Sequence, residues 1–256
     1  MGSDGKELKE KCDNRMASQS DKHCYCVKIG LMEYREAWDL QGKLLGARID
    51  GSLDRDIILI LEHPSVFTLG RRGGLDNIRV PKAFIEAQGI EVVHVERGGD
   101  ITFHGPGQLV VYPVMDMRAG SWKVADFVEA LEEIMIRTVA DFGVIAERSS
   151  RNRGVWVGQD KLGSVGIAVR HEVSFHGFAL NINISLEPFS WINPCGLEQV
   201  RMAAMKDLLG REIPMEDVHR SAMMHIREIF DLTLEKVDLA YILSHLENDI
   251  LESVVS

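Results

Sequence analysis

Hydrophobic residues recur along this chain with two different spacings, one typical of helices and one typical of strands. Between residues 124 and 139 they recur at steps of three and four, which predicts an amphipathic helix ending near Gly143. The same spacing predicts a helix over residues 34–47. The unbroken apolar run Ile57–Leu61 predicts a buried strand. We expect it to end in the segment Glu62–Ser65, because the residue before Pro64 is biased away from helix and toward an extended or turn conformation.

Shorter apolar segments predict the remaining strands, which do not alternate regularly with helices. These strands are expected at Val27–Gly30, Glu91–Val95, Leu109–Val114, Gly154–Val157, Gly163–Val169 and Val173–Ile184. From Met202 the spacing becomes helical and continues to the C-terminus. Strands and helices mixed without a repeating βαβ unit favour the α+β class. We therefore predict a single domain over residues 25–256, a mixed sheet flanked by helices, after a disordered or variable N-terminal tail over residues 1–24.

The composition narrows the functional classes that need to be considered. Over 256 residues, 45% are hydrophobic and 27% are charged, which is typical of an ordinary globular protein. The net charge of −10 disfavours a nucleic-acid binder, because phosphate neutralisation needs a basic surface. No apolar run approaches the ~20 residues that span a bilayer, so we expect no membrane partner. Four cysteines without a signal peptide are typical of a reducing compartment, and we expect a cytoplasmic protein.

Two glycine-rich segments carry most of the chemical information, one over residues 97–108 and one over residues 174–183. Glycine lets the backbone approach a ligand closely, and polar side chains follow within the same dozen residues. The first segment therefore predicts one wall of a binding pocket, although a pair of tight turns is the simpler alternative. It is not a phosphate-binding P-loop, because it lacks the lysine–hydroxyl ending, and the chain carries no dinucleotide-binding glycine turn.

Cys195 is the candidate nucleophile, because Pro194 and Gly196 place it in a loop, where reactive groups are commonly held. The alternative is a small buried hydrophobe, the usual role of an unpaired cysteine. A thiol with an ordinary pKa of ~8.5 needs a nearby cation to ionise at neutral pH, and Lys161 is the natural candidate. His104 and His176 each precede a glycine in the pocket segments, so a Cys–His dyad stays open. The ligand spacing of a zinc site is missing, and we expect no bound metal.

These residues resemble the octanoyltransferases of lipoate biosynthesis, within the wider family of lipoate- and biotin-ligase-like catalytic domains. The resemblance runs from about Cys26 to Arg211 and covers five motifs. In this sequence they are Glu62-His-Pro-Ser-Val-Phe-Thr-Leu-Gly70, Arg97-Gly-Gly-x-x-Thr-x-His-Gly-Pro-Gly-Gln108, Lys161-x-x-Ser-x-Gly166, Phe175-His-Gly-x-Ala-Leu-Asn181 and Pro194-Cys-Gly196. The fold it implies is that of the biotin- and lipoate-ligase-like catalytic domain.

The resemblance also implies a reaction, its partners and a set of site residues. The reaction is octanoyl transfer from octanoyl-acyl carrier protein to a lysine of lipoyl domains, those of 2-oxoacid dehydrogenases and the glycine cleavage H protein. Cys195 would carry the acyl thioester, and Lys161 would lower its pKa. The implied substrate-site residues are Arg97, Gly98, Gly99, Asp100, Ile101, Thr102, Phe103, His104, Ser164, Val165, Gly166, Gly177, Phe178 and Ala179. No cofactor is expected, because a thioester donor is already activated.

Two other functions remain open on the residues alone. An ATP-dependent lipoate–protein ligase of the same superfamily would activate a free acid as an acyl-adenylate and would not need Cys195. A non-catalytic acyl-binding or scaffold protein would keep the pocket without the chemistry. The presence of both Lys161 and Cys195 argues against the scaffold.

Overall fold

The computed structural model describes residues 23–194 and 200–246. Their strands are β1 (His23–Leu31), β2 (Asp56–Glu62), β3 (Val66–Leu69), β4 (Glu91–His94), β5 (Ile101–His104), β6 (Gln108–Val114), β7 (Glu147–Ser149), β8 (Asn152–Val157), β9 (Asp160–Arg170), β10 (Val173–Asn181) and β11 (Thr233–Val237). Their helices are α1 (Tyr34–Asp50), α2 (Lys82–Ala87), α3 (Val124–Ala140), α4 (Met205–Leu209) and α5 (Met215–Phe230), and residues 239–246 are also helical.

The large sheet has eight strands in the order β11-β1-β2-β6-β10-β9-β8-β7. Strands β11, β1 and β2 run parallel to one another, and every later neighbour in the order is antiparallel. A second sheet of three strands has the order β4-β3-β5. The predicted α+β class, a mixed sheet flanked by helices, is confirmed.

Strand β2 shows why the sheet is covered on both faces. Successive side chains of a strand point to opposite faces. Ile58 and Ile60 pack in the cluster formed with α3 and α5, whereas Ile57, Leu59 and Leu61 pack in the cluster formed with α1. A strand buried on both sides requires an unbroken apolar run, which is the pattern the sequence has here.

The small sheet is joined to the large one by a close backbone contact. Gly98, in the loop between β4 and β5, donates its N–H to the carbonyl of Ile167 on β9 at 2.8 Å. A Cβ added at Gly166 would lie 3.0 Å from the Gly98 carbonyl oxygen, and one added at Gly70 would lie 2.7 Å from that of Gly99. These glycines let the two sheets meet, and the space beside their junction becomes the cavity described below.

The C-terminal region differs from the sequence prediction. Helices α4 and α5 were expected, but the chain does not stay helical, because Thr233–Val237 forms strand β11 along the edge of the large sheet. Parallel pairing with β1 bonds its backbone along one edge, and only Leu234 and Val237 of its side chains pack against the two core clusters. A strand stabilised mainly by its neighbour's backbone leaves little pattern in its own sequence. Residues 247–256 lie outside the described residues.

Three further boundaries were not read correctly from the sequence. His23 and Cys24, assigned to the N-terminal tail, belong to β1, while residues 1–22 lie outside the described residues. Strand β10 ends at Asn181, earlier than the predicted Ile184. Strand β3 was not predicted, because its four residues give too short an alternation to separate a strand from a loop. Among the described residues, the helices all fall short of the length and apolar character needed to cross a membrane.

We predict that Gly177→Ala strongly destabilises the fold, whereas Gly42→Ala does not. A Cβ at Gly177 would lie 2.0 Å from the Val111 carbonyl oxygen, so β10 and β6 would have to separate. We expect a loss of about 3 kcal/mol in the free energy of unfolding, the upper end of ordinary overpacking costs. Gly42 lies in α1 with nothing within 4 Å of an added Cβ, and alanine there should add about 0.5–1 kcal/mol. Denaturant unfolding of both variants measures this, and equal stabilities would contradict it.

Candidate active site

A cavity of about 460 Å³ opens where the two sheets meet. All of the substrate-site residues implied by the sequence line it except Ile101 and Phe103. The expectation for these two is corrected by the alternation of β5, which directs Thr102 and His104 toward the cavity and the intervening side chains away from it. Ile101 and Phe103 pack instead in an apolar cluster under the small sheet, where the Phe103 ring lies 5.3 Å from that of Phe67.

Several lining residues were not predicted from the sequence as part of the pocket. They are Tyr34, Arg72, Tyr112, Val124, Val128, Arg151, Asn152, Arg153 and Ile167. Val124 and Val128 belong to the apolar stripe of α3, so the sequence assigned them only to the core. The phenols and arginines carry no local motif, and only the pairing of distant strands brings them to the cavity.

Arg97 anchors the wall that carries the first glycine-rich segment. Its guanidinium is buried and donates hydrogen bonds to the Thr68 carbonyl at 2.7 Å and the Thr68 hydroxyl at 2.8 Å, both on β3. It also donates to the Gly98 carbonyl at 3.0 Å. A buried guanidinium needs this many acceptors to offset the cost of removing it from water. The run of residues 97–100 is therefore held against β3.

His104 is held neutral by a hydrogen-bond chain whose directions are fixed. The Gln108 amide nitrogen donates to Asn181 Oδ1 at 2.9 Å, so Gln108 Oε1 accepts from His104 Nδ1 at 2.7 Å. His104 Nε2 is then an acceptor and faces the Thr68 hydroxyl at 3.4 Å. Burial, together with the neighbouring His63 and Arg97, holds the pKa of His104 well below its ordinary value. With both nitrogens engaged, His104 is a poor base for a thiol.

His63 forms a second fixed pair behind His104. Its Nδ1 donates to the Met32 carbonyl at 2.8 Å, so Nε2 accepts from the Tyr112 hydroxyl at 2.8 Å. The side chain is fully buried, and this burial lowers the pKa of His63 to about 4. This agrees with the structural role that a histidine before a proline suggests.

Lys161 is buried on β9, and its ammonium points toward the cavity wall. Its Nζ donates to Asn152 Oδ1 at 3.1 Å and lies 5.5 Å from the centre of the Trp156 ring. Asn152 lines the cavity. Gly154 makes room for the lysine stem, because a Cβ there would lie 2.9 Å from Lys161 Cε. A buried ammonium beside a cavity is the kind of group that can shift the ionisation of a neighbouring thiol.

Cys195 lies outside the described residues, which stop at Pro194 and resume at Val200. The flanking residues are both tied to the site. Asn193 donates its N–H to the Asn77 carbonyl at 2.8 Å, and the Asn77 side chain donates to Asp100 at 2.8 Å. On the other side, Lys161 donates its N–H to the Arg201 carbonyl at 2.8 Å. Of the described residues near this gap, Asn193 is thus linked through Asn77 to Asp100, and Arg201 is bonded to Lys161.

Among the described residues, no three or more His, Cys, Asp or Glu side chains are placed to hold a metal ion together. Cys24 and Cys26 are both buried in β1, and burial raises the pKa of each thiol. For Cys24 the neighbouring Asp56 carboxylate adds to this effect. These two thiols are structural.

Residues 33–227 match the family model of the lipoyl protein ligase A/B catalytic domain. The chain belongs to this family. It is 46% identical to the octanoyltransferase of Desulfotalea psychrophila over 208 residues, 80% of this chain and 93% of that protein. It is 44% identical to the octanoyltransferase of Syntrophobacter fumaroxidans over 210 residues, 82% of this chain and 92% of that protein. The family predicted from the five motifs is confirmed.

Comparison with a solved structure confirms the fold. The chain resembles a structure of the bipartite lipoate protein ligase from Thermoplasma acidophilum with a TM-score of 0.65 and 14% identity, over 90% of this chain and 91% of that one. At this identity the likeness concerns the fold alone. The lipoate-ligase-like catalytic fold that the motifs implied is therefore present.

We predict that neutral His63 makes stability depend on pH. Between about pH 4 and its ordinary pKa of about 6.5, the unfolded chain binds a proton at His63 that the folded chain does not bind. Above pH 6.5 the neutral His63 contributes roughly 3 kcal/mol to the free energy of unfolding, and this contribution is lost as the pH falls toward 4. His63→Gln retains hydrogen-bonding capacity without a titrating group. Denaturant unfolding across this range should show a flatter pH profile for the variant, and superimposable profiles would contradict the assignment.

Proposed function

We propose that this protein transfers an octanoyl group from octanoyl-acyl carrier protein to a lysine of lipoyl domains, through a thioester on Cys195. Membership in the family and 46% identity to a curated octanoyltransferase support the octanoyl transfer. The observation that carries the proposed route is the burial of Lys161 beside the cavity. The backbone N–H of Lys161 donates to the carbonyl of Arg201, which follows the segment containing Cys195 along the chain. The acceptors proposed are the lipoyl domains of 2-oxoacid dehydrogenases and the glycine cleavage H protein.

The first half-reaction moves the acyl group onto the enzyme. The Cys195 thiolate attacks the thioester carbonyl of the donor, and the bond between that carbonyl and the phosphopantetheine sulfur breaks. Lys161 holds the proton taken from the thiol and returns it to the departing sulfur. One thioester replaces another, so no ATP is required for this exchange. Covalent catalysis of this kind divides one difficult transfer into two easier ones.

The backbone N–H of Val165 is positioned to stabilise the oxyanion that forms in each half-reaction. Strand β8 pairs with β9 only as far as Gly163, and within the described part of the chain no strand pairs with this edge of β9 beyond it. Alternate residues of a strand direct their backbone groups to the same side. Ile167 uses this edge to accept from Gly98, and Val165 therefore faces the same edge beside the cavity. A pre-positioned donor of this type stabilises developing negative charge.

The second half-reaction forms the amide. The uncharged amine of the target lysine attacks the Cys195 thioester, the carbon–sulfur bond breaks, and Lys161 takes the surplus proton of the amine, which restores the ammonium beside the Cys195 thiolate. Amide formation from a thioester is downhill. The enzyme returns to its starting state, and the order of events predicts ping-pong kinetics.

The cavity also provides an apolar wall for the acyl chain. Val128 of α3 faces it from one side, and Val165, Ile167 and Phe178 of the large sheet face it from another. Each methylene buried against such a wall contributes about 0.8 kcal/mol. Val124 and Ala179 add to this lining, so the acyl chain has apolar surface along which to bind.

Two arginines at the cavity favour an acyl donor that carries negative charge. Arg72 and Arg151 are exposed and line the cavity from different elements. Neither has an ion-pair partner within the described part of the chain, and Arg151 stacks at 4.7 Å over Trp156. In a chain of net charge −10, cations left without carboxylate partners at one opening favour a negatively charged ligand there. An acidic carrier protein and its phosphodiester-linked arm are such a ligand.

We predict that Cys195→Ala abolishes the acyl-enzyme, whereas Cys26→Ala retains it. After incubation with octanoyl-carrier protein, the wild type and Cys26→Ala should each gain one octanoyl mass that hydroxylamine removes. Cys195→Ala should gain none, and its circular dichroism should be unchanged. Intact-mass spectrometry reads this directly. A folded Cys195→Ala protein that still transfers octanoyl would eliminate the thioester route, and transfer that required ATP would favour a ligase.

We predict that Lys161 sets the ionisation of Cys195. Lys161→Met removes the charge with little change in volume and should slow alkylation of Cys195 about tenfold at pH 7. The difference should shrink as the pH approaches ~8.5, the ordinary thiol pKa, because both proteins then form the thiolate. Lys206→Met is the matched control, since Lys206 donates to the Asn183 carbonyl at 3.0 Å away from the cavity lining. Identical alkylation profiles for wild type and Lys161→Met would assign the activation to another group.

A further inference from the structure

Gly154, near the start of β8, interrupts the regular pairing of that strand. Its φ of 120° lies in the region that favours glycine, and a Cβ there would lie 2.2 Å from the Gly163 carbonyl oxygen. The registers of β8 with β7 and with β9 both shift beside it, and Gly154 has no partner residue in either. Because Gly154 is buried, its N–H needs an acceptor from outside these ladders.

Glu132 of α3 supplies that acceptor. Its side chain is 1% exposed, and Oε1 accepts from the Gly154 N–H at 2.7 Å. Oε2 lies 3.3 Å from Arg148 Nε and 3.4 Å from Arg153 Nη1. A buried carboxylate requires such partners, because an unpaired charge in the interior is strongly destabilising. The helix therefore fixes the start of β8 through a charge-assisted hydrogen bond.

Asn152 reaches Lys161 from this fixed segment. Its Oδ1 accepts from Lys161 Nζ at 3.1 Å, and the oxygen must face the lysine because an ammonium can only donate. The Asn152 carbonyl accepts from Trp156 Nε1 at 3.3 Å, and the Trp156 ring centre lies 5.5 Å from the same ammonium. Asn152 also lines the cavity. The amide and the ring beside the ammonium thus both belong to β8.

We propose that Asn152 is a positioning residue for Lys161 and that Glu132 fixes Asn152 in place, an inference that rests on the proposed octanoyl transfer. The lysine stem is flexible and its ammonium rotates, so burial alone does not set the direction of the N–H bonds. The Asn152 oxygen fixes one of these directions. Proton exchange with the Cys195 sulfur depends on that direction, because small displacements of a reacting group cost large factors in rate.

The first test removes the acceptor and asks whether the effect passes through Lys161. Asn152→Leu keeps the shape of the side chain without its polar atoms. It should lower kcat for octanoyl transfer about tenfold and slow alkylation of Cys195 at pH 7 about threefold, with the second difference shrinking toward pH ~8.5. Added to Lys161→Met, the same change should slow alkylation no further, because the group that it positions is already absent.

The second test compares two replacements of Glu132 that differ in one acceptor. Glu132→Gln keeps an oxygen for the Gly154 N–H, and alkylation should stay within about twofold of wild type. Glu132→Met removes that oxygen and should slow alkylation about threefold, as Asn152→Leu does. Glu133→Gln is the matched control on the same helix, because Glu133 also accepts from Arg148, at 2.8 Å, but does not bond to Gly154.

Alkylation needs no acyl donor, so it measures the positioning of Lys161 separately from octanoyl transfer. Alkylation and kcat at wild-type values in Asn152→Leu would overturn the proposal, as would slowing that persists undiminished beside Lys161→Met. Equal behaviour of Glu132→Gln and Glu132→Met would overturn the role of Glu132. Melting temperatures show which variants fold, and partly buried Asn152 carries the test where Glu132→Met does not. Wild-type protein that transfers no octanoyl would instead overturn the proposed function.

Discussion

The buried guanidinium of Arg97 is the interaction on which the site depends. It ties the loop that carries Gly98 to Thr68 of the small sheet, while the Gly98 N–H reaches across to Ile167 of the large sheet. The two sheets approach this closely because no Cβ intervenes at Gly166, where one would lie 3.0 Å from the Gly98 carbonyl oxygen. The cavity is the space left beside that junction. The shape of the cavity is therefore set by the buried Arg97 guanidinium with its hydrogen-bond acceptors, and by the lack of a side chain at Gly166 opposite it.

The titratable groups in and beside the cavity differ in the role that their surroundings give them. His104 and His63 are neutral, bonded at both nitrogens and fixed in one tautomer, so they serve as rigid wall. Lys161 and His176 stand near opposite ends of the same two strands. The first places a charge where the reacting carbonyl is proposed to lie.

The sequence predicted those features that a local pattern can encode. Ile57–Leu61 was recognisable as a buried strand, and residues 97–104 as a pocket wall, because each is a continuous run with one character. The edge strand Thr233–Val237 was misread, since it is held by pairing with the backbone of β1 and only two of its side chains, Leu234 and Val237, pack against the core. Tyr112 and Val128 reach the cavity only through the pairing of strands and the packing of α3. No pattern within either segment could have distinguished such positions from ordinary core.

The central claim is tested most directly by asking whether the octanoyl-enzyme passes its acyl group to a lipoyl domain. Enzyme charged with octanoyl from its carrier protein is separated from the donor and mixed with a lipoyl domain in the absence of ATP. The account predicts that one octanoyl mass leaves the enzyme and appears on the lipoyl domain, at a rate at least equal to steady-state turnover. An acyl-enzyme that keeps its octanoyl group, while the complete mixture still modifies the lipoyl domain, would contradict the thioester on Cys195 as the intermediate.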